Sequence, residues 1–236
     1  MLKKTSSLQP TSALLSRAAR VRRAGPKILR LPRPALGGQD NLMRVLRRRK
    51  TIREISGRRL PIQTLSNLLW AAFGINRKRG PFGAPGRTAA SASNSQEIDI
   101  YVTSAEGTYV YEAHGHRLRC VGDKDLRPLA ISRGQSKEDI GAGAPIRLIY
   151  VADIERLVHT SGFQEPGLHD PEVQRSYYYV DTGLIAANVY LFAASTGLAA
   201  WFHNCDREAL AAMLPLRKEQ RVLFAQTIGY PCSARP

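Results

Sequence analysis

Residues 177–198 put the strongest constraint on the fold. Tyr179, Leu184, Ala187, Leu191 and Ala194 recur there at helical spacing, over the longest helical segment in the chain. The small residues Gly183, Ala186, Ala187, Ala193 and Ala194 would let another helix approach closely, so the segment reads as a central core helix or a dimer helix. Gly197 is placed to end it as a C-cap. At 236 residues the chain is long enough for one good core around such a helix and short for two full domains.

The second informative stretch is residues 87–102. Small hydroxyl and amide side chains run from Thr88 to Gln96, and then Ile98, Ile100 and Val102 alternate with polar neighbours as in a half-buried strand. A rigid strand therefore delivers a polar loop rich in short hydrogen-bonding groups, which suits a polar, planar ligand; an ordinary serine-rich connection has the same composition. Residues 108–112 and 117–121 flank His114-Gly115-His116 and predict an antiparallel hairpin, and residues 146–152 form the clearest buried strand. Helices are expected at 64–75, 123–132 and 206–214, a long surface loop at 159–171, and further strands at 199–202 and 222–228. His114 and His116 read as polar residues at the hairpin tip, with no third ligand nearby to make a metal site.

The formal net charge of +16 suggests a nucleic-acid binder until it is mapped. The first 50 residues carry 14 Lys and Arg against one acid, Asp40, and so hold +13 of the excess. Residues 1–39 contain no acid and are broken by Pro10, Pro26, Pro32 and Pro34, so they read as a basic tail, and residues 40–236 as the folded domain. Residues 11–23 are Ser-, Ala- and Arg-rich like an organellar transit segment; the alternative is a solvated extension that binds anionic surfaces weakly. No helix-turn-helix, zinc or RNA-binding signature accompanies the charge, and no apolar run reaches the length of a membrane span. Cys120, Cys205 and Cys232 are widely spaced and odd in number, which points to a reducing compartment, by default the cytoplasm.

Asn41 caps a further helical pattern bearing Leu42, Val45 and Leu46, and this runs into Arg47-Arg48-Arg49-Lys50-Thr51-Ile52-Arg53. Such a cation run is commonly a solvated face. It is also what a phosphate would need, because guanidinium groups present paired donors in a fixed fork and Thr51 adds a hydroxyl.

Taken in order, these pieces resemble the flavin-dependent nitroreductase family, especially its thiazoline and oxazoline dehydrogenase branch, over roughly residues 28–231. Arg49-Lys50-Thr51-Ile52-Arg53 is similar to the family's Arg-x-Ser-x-Arg motif, and residues 68–77 to the helix that follows it. Arg87-Thr88-Ala89-Ala90-Ser91-Ala92 is similar to the branch's Arg-Thr-Ala-Pro-Ser-Ala, and Asn94-Ser95-Gln96 to the Asn-Ser-Gln of the classical members. Asp181-x-Gly183, Asn188-Val189-Tyr190-Leu191 and Gly197-Leu198 resemble the long dimer helix, and Gln226-x-x-Gly229-Tyr230-Pro231 the closing strand. Each match alone is weak; six in the right order are specific.

The resemblance implies an α+β fold, a central, mainly antiparallel sheet flanked by helices, in an intertwined homodimer that binds FMN at its interface. Carried over residue by residue, Arg49, Lys50, Thr51 and Arg53 of one subunit would hold the phosphate and ring edge, and Ser91, Ala92, Ser93 and Asn94 of the other would close over the flavin. Arg53 would face the ring edge where negative charge collects on reduction; no fixed catalytic base is implied, because flavin N5 carries the chemistry. The expected activity is hydride transfer from NAD(P)H by way of the flavin to a small acceptor such as a nitroaromatic or quinone. The alternatives are a heterocycle dehydrogenase, a flavin-binding relative without turnover, and a basic nucleic-acid or membrane-surface binder. Two departures stand out: Ala90 replaces the expected proline, and Phe202-His203-Asn204-Cys205 replaces a glycine-containing segment, which would crowd the substrate side.

Overall fold

The computed structural model describes residues 27–35, 37, 41–132, 143–162 and 169–232; the expectations for the tail at 1–26 lie outside them. The backbone is organised by one sheet of seven strands: β1 (Ile28–Arg30), β4 (Ile98–Ser104), β5 (Gly107–Glu112), β6 (Arg117–Gly122), β7 (Ile146–Asp153), β8 (Ala199–His203) and β9 (Gln220–Gly229). The spatial order is β1-β6-β5-β4-β7-β9-β8, and every pairing is antiparallel. A separate ribbon pairs β2 (Ile75–Arg77) with β3 (Gly86–Arg87). The helices are α1 (Leu42–Arg48), α2 (Ile62–Phe73), α3 (Ile154–Val158), α4 (Pro171–Thr196) and α5 (Arg207–Met213). The expected α+β class and antiparallel sheet are therefore found.

β7 is buried along its whole length because both faces are covered. Leu148, Tyr150 and Ala152 pack with Leu68, Leu69, Phe73, Ile185 and Val189 of α2 and α4 on one face. On the other, Ile149 and Val151 pack with Leu126, Leu210 and Leu214. This is why 146–152 reads as a continuous apolar run while its neighbour β4 mixes apolar and polar residues.

α4 is longer than its periodicity indicates, because Asp170 caps it, accepting the Glu172 amide at 2.9 Å, and Pro171 occupies the first helical position. Gly197 ends it with φ 72°, the left-handed conformation that favours glycine. Two expectations are corrected. Residues 123–132 form turns and no helix; Pro128 lacks an amide and disfavours helix at Arg127, and the Leu126 amide is taken by the Thr103 hydroxyl at 2.9 Å. Residues 28–30 are not tail but an edge strand on β6, and the following segment is fastened to α2 by Ser66 Oγ to the Pro32 carbonyl (2.6 Å) and Gln63 Nε2 to the Arg33 carbonyl (2.9 Å).

His116 joins these layers and is more than a hairpin-tip residue. It adopts φ 43°, with Nε2 2.7 Å from Ser66 Oγ and Nδ1 2.9 Å from the Tyr111 hydroxyl, and burial lowers its pKa. Among the described residues no group of His, Cys, Asp and Glu is arranged to hold a metal ion, and no helix is long and apolar enough to cross a membrane.

Candidate functional site

The cationic arm leaves the end of α1 in extended form. Ile55 is buried with Ala144 and Ala199, Ile52 packs beside them, and the Ile52 amide donates to the Ala200 carbonyl on β8 at 3.1 Å. These anchors leave Arg49, Lys50, Thr51 and Arg53 exposed between them. The Arg49 guanidinium lies 5.6 Å from the centre of the Tyr190 ring, and that of Arg53 lies 5.8 Å from the Trp201 ring. Thr51 Oγ1 is 3.2 Å from the Tyr190 hydroxyl, which also accepts the Phe202 amide at 2.8 Å. Tyr190 thus ties the arm to both α4 and β8. Among the described residues no carboxylate pairs with Arg49, Lys50 or Arg53.

The loop of Ser91, Ala92, Ser93 and Asn94 is built differently, by internal bracing. Gln96 donates its amide to Ser91 Oγ at 3.0 Å and its side-chain Nε2 to Asn94 Oδ1 at 3.0 Å, while Asn94 Nδ2 reaches the carbonyls of Pro81 (3.1 Å) and Pro85 (3.3 Å). These bonds hold Ser93, Asn94 and Gln96 at φ 45°, 56° and 53°, a conformation that costs non-glycine residues energy and persists only when surrounding contacts impose it. With Ala90 in place of proline, the bracing comes from these side chains. Much of Asn94 is occupied by it, whereas Ser93 Oγ makes no hydrogen bond among the described residues and Ser91 keeps its own proton to donate.

Arg87 supports the loop from beneath. Its Nε donates to Gln96 Oε1 at 2.5 Å and its Nη1 to the Phe73 carbonyl at 2.9 Å, with the guanidinium 4.7 Å from the Phe73 ring centre. Burial lowers its pKa to about 10, so it remains charged at neutral pH. On the α4 side, the Ala92 amide donates to Asp181 Oδ2 at 2.8 Å.

One chain does not bring the arm and the loop together. They attach to α4 at Tyr190 and Asp181, nine residues apart, which is about 13 Å along the axis and half a turn around it. The face of α4 that bears Val180 (59% exposed), Gly183, Leu184 (42% exposed) and Ala187 is open, as are Leu42, Met43 and Leu46 on the neighbouring α1. A cavity of about 690 Å³ opens elsewhere, against β4 and β5, and most of its charges are paired: Arg119 with Glu112 at 2.6 Å, Arg156 with Asp99 at 2.7 Å, and Arg217 with Asp153. It includes none of the arm or loop residues.

A sequence profile of the Nitroreductase family matches residues 46–230, from the last turn of α1 to the residue beyond β9. The chain belongs to the nitroreductase family. A Methanocaldococcus jannaschii protein with a provisional nitroreductase name is 32% identical over 178 residues, covering 70% of this chain and 82% of that protein. The crystal structure of a provisionally named nitroreductase from Ralstonia eutropha JMP134 is 33% identical, with a TM-score of 0.75 over 95% of this chain and 98% of that one. A chain of the Escherichia coli microcin synthetase McbBCD complex shares the fold alone, at 17% identity and a TM-score of 0.64 over 95% of this chain and 85% of its own. As a member of the nitroreductase family, the chain falls among flavin-using oxidoreductases.

Within this nitroreductase-family chain, His203 and Cys205 of the segment 202–205 are buried, Phe202 is half-buried and Asn204 is exposed. Phe202 leans on Phe224, with ring centres 4.9 Å apart, and on Tyr150 at 6.0 Å. His203 is buried between Thr227 Oγ1 and the Asn204 carbonyl, both at 2.8 Å, and desolvation pushes its pKa down to about 4, so it is neutral. The Cys205 thiol is pushed up to about 11 by burial, and is not a nucleophile at neutral pH.

Three residues of this region carry roles that reading the sequence for site residues does not assign: Tyr190, Glu97 and Asp181. Asp181 did leave a signal, since it lies one turn before buried Ile185 and two before buried Val189, a carboxylate on an apolar stripe. Glu97 is fully buried at the start of β4.

Proposed function

We propose that the chain is an FMN-dependent oxidoreductase that works as a homodimer, passing electrons from NAD(P)H to a small nitroaromatic or quinone acceptor. The observation that carries this is the separation of two half-sites along α4: an arm of cations with no neutralising carboxylate among the described residues, and a braced polar loop about 13 Å along the helix and on its opposite side.

The donor set fits FMN. Arg49, Lys50 and Arg53 with the Thr51 hydroxyl offer a phosphate monoester charge-assisted hydrogen bonds, and Tyr190 fixes Thr51 in place. A second copy seated on the open apolar face of α4 would cover Val180 and Leu184 and carry its own Ser91, Ala92, Ser93 and Asn94 to this arm. When bound, FMN supplies hydride transfer at N5 in both half-reactions. The chain's part is to orient the ring, exclude water with the loop, and place the Arg53 charge at its edge. Flat aromatic surface for a planar substrate lies nearby in Tyr179, Phe224 and Phe202.

The test is flavin uptake. Apoprotein titrated with FMN is expected to bind about one FMN per chain, as a two-fold dimer with two shared sites requires, and the bound flavin to bleach on adding NADH or NADPH without oxygen. A protein that takes up no FMN would overturn the proposal.

A further inference from the structure

The loop proposed to close over the cofactor rests on two buried carboxyl groups. Asp181, 3% exposed, accepts the Ala92 amide at 2.8 Å through Oδ2. Glu97, 0% exposed, accepts the Ser95 hydroxyl at 2.6 Å through Oε2, while its Oε1 is buried without a hydrogen-bond partner. Each of these carboxyl groups shifts the titration of the other, so the two face one another where the loop meets α4. If both were ionised, a buried anionic oxygen would stand unsatisfied against a second carboxylate, a costly arrangement. One proton on Glu97, donated to Asp181, satisfies the orphaned oxygen and removes the repulsion.

Among the described residues no cation is paired with the Glu97 or Asp181 carboxyl group. Arg87 is turned towards Gln96 and the Phe73 carbonyl. Arg156, on α3, meets the Glu97 backbone carbonyl at 3.2 Å and pairs with Asp99 and Asp153, and the Asp153 amide donates to the same carbonyl at 2.9 Å. On α4, the Thr182 hydroxyl beside Asp181 in the chain donates to the Tyr178 carbonyl at 2.7 Å.

We propose that Glu97 and Asp181 share one proton, and that this proton is what positions the Ser91–Asn94 loop on α4. Loop closure, and with it retention of the cofactor proposed above, is thereby coupled to pH. Burial and the facing Asp181 raise Glu97 from its ordinary 4.5 to about 7, so the closed loop binds a proton that the opened loop releases. The sign follows: closure is strongest below the ordinary carboxyl range, weakens as pH rises towards 7, and stays at its weaker value above.

The experiment is hydrogen exchange at the Ala92 amide in the full chain between pH 5 and pH 8, corrected for the intrinsic pH dependence of exchange. Protection is expected to fall about fortyfold between pH 5 and pH 7, with about a further twofold by pH 8. In Glu97→Gln the side-chain amide donates to Asp181 at every pH, so protection is expected to be flat. Asp181→Asn, which can accept from Ala92 and donate to Glu97, removes the facing carboxylate but leaves Glu97 buried, so its fall is expected to be smaller than in the parent; it stands in if the first variant folds poorly. Protection in the parent that does not change with pH, or that falls equally in the variants, would overturn the proposal. FMN affinity measured alongside separates the two ideas: failure to bind FMN defeats the cofactor proposal, whereas the exchange profile judges the proton without cofactor present.

Discussion

The double variant Arg49→Ala, Arg53→Ala is expected to bind FMN about 10² to 10⁴ times more weakly than the parent. Each lost charge-assisted hydrogen bond is worth about 1.5 to 3 kcal/mol, and two such losses sum to that range if they act independently. The fold should be indifferent, because both side chains are exposed and only lean on the rings of Tyr190 and Trp201. Urea unfolding of the apoprotein is therefore expected to move by no more than about 0.5 kcal/mol per substitution, the usual range at surface positions. Fluorescence titration with FMN checks the first expectation. Equal affinity in parent and variant would mean that the arm is a solvated surface and that the phosphate is held elsewhere.

Leu184→Glu is expected to separate the proposed dimer and to empty the cofactor site with it. Leu184 is 42% exposed on the outer face of α4, beside Val180 at 59%, so glutamate there is harmless to a lone chain and is itself a good helix former. Across a two-fold interface the same change buries two like charges without partners. Removing one partner from a buried ion pair costs about 3 to 5 kcal/mol for the charge left unpaired, and a penalty of that order would weaken association by at least a hundredfold. Light scattering with size-exclusion chromatography reads the mass, and the absorbance at the flavin band reads the cofactor. A variant that stays dimeric and yellow would show that this face of α4 is not where the copies meet.

The parts of the fold legible in the sequence are those whose cause is local. The apolar run at 146–152 gives away the strand covered on both faces, and Asp206 and Gly197 mark helix ends by side-chain chemistry and backbone freedom that need no partner. β1 escapes because its three residues, between Pro26 and Pro32, gain meaning only from pairing with β6. Residues 123–132 mislead because their polar and apolar spacing suits a helix, while Pro128 and the Thr103 hydroxyl divert the backbone. The same division holds at the site. Cations crowded at 47–53 raise the phosphate reading by composition alone, but the placing of the Tyr190 hydroxyl against Thr51 and of Asp181 beneath Ala92 exists only once α4 is laid across the sheet.

A mixed dimer tests the central claim, that each cofactor site is shared between two chains, most directly. One chain carries Arg49→Ala and Arg53→Ala; the other carries Ser91→Ala and Asn94→Ala. If the arm of one chain meets the loop of the other, the mixed dimer contains one site with all four changes and one wholly native site. It is expected to hold about half the FMN of the parent, while each mutant homodimer, damaged at both of its sites, holds little. Flavin content of the purified mixed dimer remaining as low as in the two homodimers would contradict the account, because it would mean that each chain builds its own site.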